Sequence, residues 1–60
     1  MTMKDKDLVK LLEKNGWKLI RINGSHHTMS KDNSVITVPV HGRDMKPGLL
    51  NAILKQADLK

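Results

Sequence analysis

The sequence predicts a small α+β domain in the order helix, strand, strand, strand, helix, with a three-stranded antiparallel sheet and both helices packed on one of its faces. Three observations carry that expectation. Apolar residues recur at helical spacing near both ends of the 60-residue chain. Three runs rich in β-forming residues fill the middle. The connections between those runs are three and four polar residues long, enough for hairpins and too short for crossovers between parallel strands.

The first helix is expected over Asp5 to Asn15. Leu8, Val9, Leu11 and Leu12 make one apolar stripe, Asp5 suits the N-cap, and Asp7 complements the positive end of the helix dipole. Gly16 supplies the left-handed residue that stops it. Lys6, Lys10 and Lys14 recur every four residues on the outward face, where such a run reads chiefly as a solvated surface within reach of Asp7 and Glu13, with a phosphate contact from Lys6 or Lys14 as the minor alternative.

Trp17 to Ile22 reads as a strand with imperfect alternation, and Asn23-Gly24-Ser25 as a tight turn. His26 to Ser30 forms a second strand, Lys31-Asp32-Asn33-Ser34 a second turn, and Val35 to Val40 a third strand with Ile36, Val38 and Val40 on one face. Pro39 has no N–H to give a ladder, so it belongs at a strand end or a free edge. His41 to Lys46 is a polar connection. Pro47 then opens the last helix, with Leu49, Leu50, Ile53, Leu54 and Ala57 as its apolar stripe. Residues 1–60 read as a single domain, close to the lower size limit for folding alone, where only about 60% of the unfolded surface becomes buried.

Composition narrows the function. Eleven Lys and Arg stand against six Asp and Glu, a net charge of +5 with neutral histidines, which favours an acidic partner such as nucleic acid. The absence of cysteine excludes a disulfide framework, a thiolate nucleophile and a finger-type zinc site. No uncharged stretch approaches the roughly 20 residues of a transmembrane helix, and charges occupy the place of a signal peptide's apolar core. A soluble, cytoplasmic domain without a membrane role is expected. With no Phe, no Tyr and only Trp17, there is no platform on which successive bases could stack. Trp17, at the start of a strand, reads as a core anchor. Nucleic acid would be gripped by phosphate and sugar.

Histidine is the side chain whose ordinary titration falls near neutral pH, and the chain has three: His26, His27 and His41. Neighbours on a strand point to opposite faces, so His26 and His27 are poorly placed to share a metal ion, and no carboxylate pair accompanies them. No metal and no cofactor are expected. A Gly24-Ser25 turn leading into paired histidines instead sets an acid–base group beside a bend that phosphate can approach, because Gly24 has no Cβ. In RNA cleavage a base takes the 2′-hydroxyl proton, the ribose oxygen attacks the adjacent phosphorus, and an acid protonates the departing 5′ oxygen. Either role is worth typically 10²–10⁴ in rate, and deoxyribose lacks the nucleophile.

Leu11-Leu12-Glu13-Lys14-Asn15-Gly16-Trp17, Arg21 and Gly24-Ser25-His26-His27 resemble the first half of a HicA-type toxin. Val38-Pro39-Val40-His41-Gly42, Lys46-Pro47-Gly48 and Ile53-Leu54-Lys55-Gln56-Ala57 resemble its second half. The resemblance runs through nearly the whole chain. It implies an mRNA interferase of a type II toxin–antitoxin system, a fold like that of a double-stranded-RNA-binding domain, and neutralisation by a HicB-type antitoxin. The family's catalytic histidine in its Gly-Ser-x-His motif falls on His27, with Gly24 and Ser25 matching and His26 in the variable position as a supporting residue. Asp58 departs from the pattern, since the family often has Gly there, which bears on how the last helix ends.

Lys18, Arg21 and Lys31 flank the turn and are the candidate phosphate contacts. The second proton-transfer group stays open among His41, a lysine and water. The leading expectation is an endoribonuclease toxin using His27 without metal. The alternatives are a non-catalytic RNA-binding module of the same fold, or an interaction protein that docks a partner on the open sheet face, where the partner would also hide His27.

Overall fold

A computed structural model describes residues 3–59. The element order is α1 (Asp5–Lys14), β1 (Lys18–Asn23), β2 (His26–Lys31), β3 (Ser34–Pro39) and α2 (Pro47–Gln56). The strands form one antiparallel sheet in the order β1-β2-β3. The expected architecture is therefore present, with element ends displaced by a residue or so.

The hairpin loops are the two-residue kind. Asn23 pairs with His26 across Gly24-Ser25, and Lys31 pairs with Ser34 across Asp32-Asn33. Each loop takes a positive φ at its first residue, 62° at Gly24 and 55° at Asp32, which suits the right-handed twist of the strands. Pro39 ends β3, an edge strand, so its missing N–H breaks no ladder.

Both helices end in the same way. After α1, Gly16 N–H reaches the Glu13 carbonyl at 3.1 Å and Trp17 N–H the Leu12 carbonyl at 3.0 Å. After α2, Asp58 N–H reaches the Lys55 carbonyl at 3.2 Å and Leu59 N–H the Leu54 carbonyl at 2.9 Å. This is the paired bonding of a Schellman motif, which needs a left-handed residue just past the helix. Gly16 takes that role at φ 94°, and Asp58 takes it at φ 60°.

The core lies between the helices and one face of the sheet. Leu8 and Leu12 of α1 and Leu50 and Ile53 of α2 are buried with Met29, Ile36, Val38, Trp17, Met45 and Ala57. Leu49, expected in the stripe of α2, is exposed, so the buried face of that helix is narrower than its apolar pattern. On the other side of the sheet Lys18, Arg21, His26, Val35 and Thr37 are exposed. The two-layer arrangement, with one open sheet face, follows.

The imperfect alternation of β1 has a structural cause. The β1–β2 register shifts between Leu19 and Arg21, so Ile20 is the extra residue of a β-bulge. Leu19 pairs with Met29 and Ile22 with His27. Leu19 and Ile22 would face opposite ways in a regular strand, and the bulge brings both to the helix side.

Candidate functional site

Strand parity decides where His27 points. His27 and Met29 lie two residues apart on β2, and Met29 is fully buried in the core, so His27 faces the helices and not the open side of the sheet. Its cross-strand partners are Ile22 and Val38. A partner docked on the open face, as the sequence alone suggests, would therefore not cover His27, which lies on the opposite one. His26, with its exposed side chain, takes the open face.

At the end of the sheet His27 is half-buried and enters a cleft of about 260 Å³ shared with Val40 and with Lys6, Val9, Lys10 and Glu13 of α1. Those four α1 residues repeat at i, i+3, i+4 and i+7, one face of a helix. The face that reads in sequence as a solvated lysine run thus forms a wall of the cleft. Lys6, Lys10 and Glu13, all exposed, border this largely apolar space together with His27, Val9 and Val40.

The turn before His27 lies beside the ring. Ser25 carbonyl lies 3.4 Å from His27 Nδ1 and also accepts the Val40 N–H at 2.6 Å. The Val40 bond fastens the Gly24-Ser25 turn to the chain leaving β3. Of the two ring nitrogens, Nδ1 is the one on the side of that carbonyl. Gly24 has open space around the position a Cβ would take, so the turn presents little bulk to an approaching phosphate.

The structure does not gather the three candidate phosphate contacts around His27. Lys18 and Arg21 pair with Ser30 and Thr28, positions alternate to Met29, and so take the open face. Lys31 shares the helix-side parity of His27 but ends the same strand and lies against Gly16. Lys6 and Lys10 are the cations that border the cleft. The signal was their coincidence with Val9 and Glu13 on a single helix face.

His41 belongs elsewhere. It borders a second cavity of about 310 Å³ with Asp5, Pro39, Arg43, Asp44, Met45, Lys46 and Leu49. There the ordering group is Asp5, a carboxylate buried with the core. Asp5 is not the N-cap; that position is Lys4, which makes no side-chain cap bond. As the first helical residue, Asp5 takes the Lys6 N–H on Oδ1 at 2.7 Å. Its Oδ2 takes the N–H of His41 at 2.6 Å and of Arg43 at 3.2 Å. Gly42, at φ 73°, bends this segment so that successive amides converge on one anion. Burial alone would raise the Asp5 pKa, but the amides of His41, Arg43, Lys6 and Gly42 outweigh it and hold it below its ordinary 3.8. Backbone bonds from Asp5 N–H to the Arg43 carbonyl and from Met45 N–H to the Met3 carbonyl complete the clasp. Through it, the loop after β3 fixes the start of α1 and with it the helix that brings Lys6 and Lys10 to His27.

Trp17 is buried in the core, and its indole N–H has no partner among the described residues. Among those residues no three His, Asp or Glu side chains gather as a metal-ligand set, and no helix is long and apolar enough to cross a membrane.

The chain is thus a small basic two-layer α-β-β-β-α domain with a half-buried histidine in a cleft bordered by lysines. It belongs to the HicA toxin family: the family model, described as the HicA toxin of bacterial toxin–antitoxin, matches residues 6–59. It is therefore a toxin of a toxin–antitoxin system, and membership implies an antitoxin partner. No curated protein matches the chain.

Proposed function

We propose that this toxin is a metal-independent endoribonuclease that cleaves mRNA in the cytoplasm, with His27 as the general acid or base, until a HicB-type antitoxin neutralises it. The observation that carries the reading is the cleft itself. It is lined by His27, whose Nδ1 lies 3.4 Å from the Ser25 carbonyl, and by Lys6 and Lys10 of α1. The two ammonium groups attract the phosphodiester and offset charge developing on the phosphoryl oxygens. Nε2 of His27 takes the 2′-hydroxyl proton as the ribose oxygen bonds to phosphorus. The P–O5′ bond breaks, and a proton delivered to the departing oxygen completes the step. His41 borders the other cavity, so that second transfer falls to a lysine of the cleft or to water. Gly24 and Ser25 give the phosphate its approach. His26, on the opposite face, supports the turn through its pairing with Asn23 and Pro39.

The test compares wild type and His27→Ala on an RNA substrate in EDTA. Wild type should cleave and the variant should lose 10²–10⁴ of the rate, the worth of one positioned proton-transfer group. Equal cleavage by both would refute the assignment of His27. Loss of wild-type cleavage in EDTA would refute metal independence. RNA binding without cleavage by either protein would establish the binding-module alternative.

A further inference from the structure

β1 is an edge of the sheet, and all six of its residues are exposed. Three of them are large and apolar: Leu19 is 41% exposed, Ile20 59% and Ile22 57%. Edge strands carry unpaired backbone N–H and C=O groups, and charges or bulges commonly guard them against indiscriminate pairing. β1 has both devices, in Lys18, Arg21 and the bulge at Ile20. Neither covers the apolar side chains.

We propose that β1 is the docking edge for the antitoxin, an extended acidic segment of which adds to the sheet as a fourth strand. Three features select that occupant together. The free edge calls for a backbone, the apolar row calls for apolar side chains, and Lys18 and Arg21 call for carboxylates. A second copy of this chain supplies the first two but opposes +5 with +5, and like charges facing across strands destabilise the pairing. RNA supplies anions but neither a strand nor a partner for the apolar row. Strand addition takes its affinity from main-chain hydrogen bonds and its selectivity from alternate side chains. Ile22 stands directly across from His27, so a strand seated on β1 runs beside the cleft. This rests on the antitoxin partnership that the family brings and is independent of the ribonuclease reading.

The experiment titrates the cognate antitoxin into isotope-labelled toxin and follows amide hydrogen exchange residue by residue. Protection should appear along β1 and not along β3. Ile20→Glu should weaken the complex by about tenfold or more, whereas Val35→Glu, an equally exposed change on the other edge strand, should alter it less than about twofold. Should Ile20→Glu lose its fold by circular dichroism, Ile20→Thr carries the same comparison. Cleavage by the Ile20 variants without antitoxin should match wild type, which separates a docking defect from a catalytic one. Protection confined to β3 or the helices, or undiminished binding by the Ile20 variants, overturns the proposal. So does a β1-mediated homodimer in sedimentation, or a β1 response to an RNA oligonucleotide but not to the antitoxin.

Discussion

Asp58→Gly should stabilise this domain, and its two helix ends supply the comparison that tests why. Gly16 and Asp58 occupy the same left-handed position of the same bonding motif, at φ 94° and 60°. A side-chain-bearing residue pays about 1–2 kcal/mol there, less for Asp, which tolerates the region better than most. Glycine escapes that cost but loses about 0.5–1 kcal/mol through the greater freedom of its unfolded chain. Asp58 also sets a carboxylate at the negative end of the α2 dipole, unfavourable by about 0.3–1 kcal/mol. The sum favours glycine by about 0.5–1 kcal/mol, which for a domain this size raises the midpoint by roughly 2–8 °C. Asp58→Asn, which removes the charge and keeps the side chain, should recover only the dipole part. The reverse change, Gly16→Asp, should lower the midpoint, since φ 94° strains any residue that carries a side chain. Thermal unfolding followed by the fluorescence of Trp17, the one tryptophan, reads all three variants. A midpoint for Asp58→Gly at or below that of wild type, or an Asn variant that matches Gly, would refute the conformational argument.

Leu12→Ala removes three buried carbons from the base of α1, about 3–4 kcal/mol with the cavity included, against a reserve of only about 3–5 kcal/mol for a core this small; fluorescence should show a largely unfolded protein at 37 °C, while half-buried Leu11→Ala stays folded. Asp5→Asn should destabilise at neutral pH. Because the folded carboxylate titrates below its ordinary 3.8, its contribution is complete above that value and fades as pH falls through the lower folded pKa. Urea midpoints for wild type and variant should therefore differ at pH 7 and converge in acid. Lys6→Ala with Lys10→Ala should raise KM for RNA and flatten the salt dependence of binding, and Lys18→Ala with Arg21→Ala should change cleavage less, both read from initial rates at several salt concentrations.

What could be read from the sequence was what short-range chemistry decides. Leu8 and Leu12, Leu50 and Ile53, the stop at Gly16 and the Gly24-Ser25 turn all act within a few residues of themselves. The bulge at Ile20 was visible only as a blemish in alternation, because its position depends on how β1 meets β2. The site divided along the same line. His27 is readable from its motif, but which lysines border its cleft is not, since Lys18 and Arg21 are near it along the chain yet take the other face of the sheet, whereas Lys6 and Lys10 reach it from α1. Strand parity with buried Met29 was the available clue. Asp5 resembles a local cap in the sequence because its partners lie 36 and 38 residues away.

That separation sets a timetable for synthesis. The helix bearing Lys6 and Lys10 leaves the ribosome early, yet the amides that seat its first residue belong to a loop translated after all three strands. Contacts so distant in sequence cost more loop-closure entropy than the local hairpins, so the start of α1 is seated only once the chain beyond β3 is available. Until Arg43 has emerged, the first residue of α1 lacks the amides that close around its carboxylate in the folded domain.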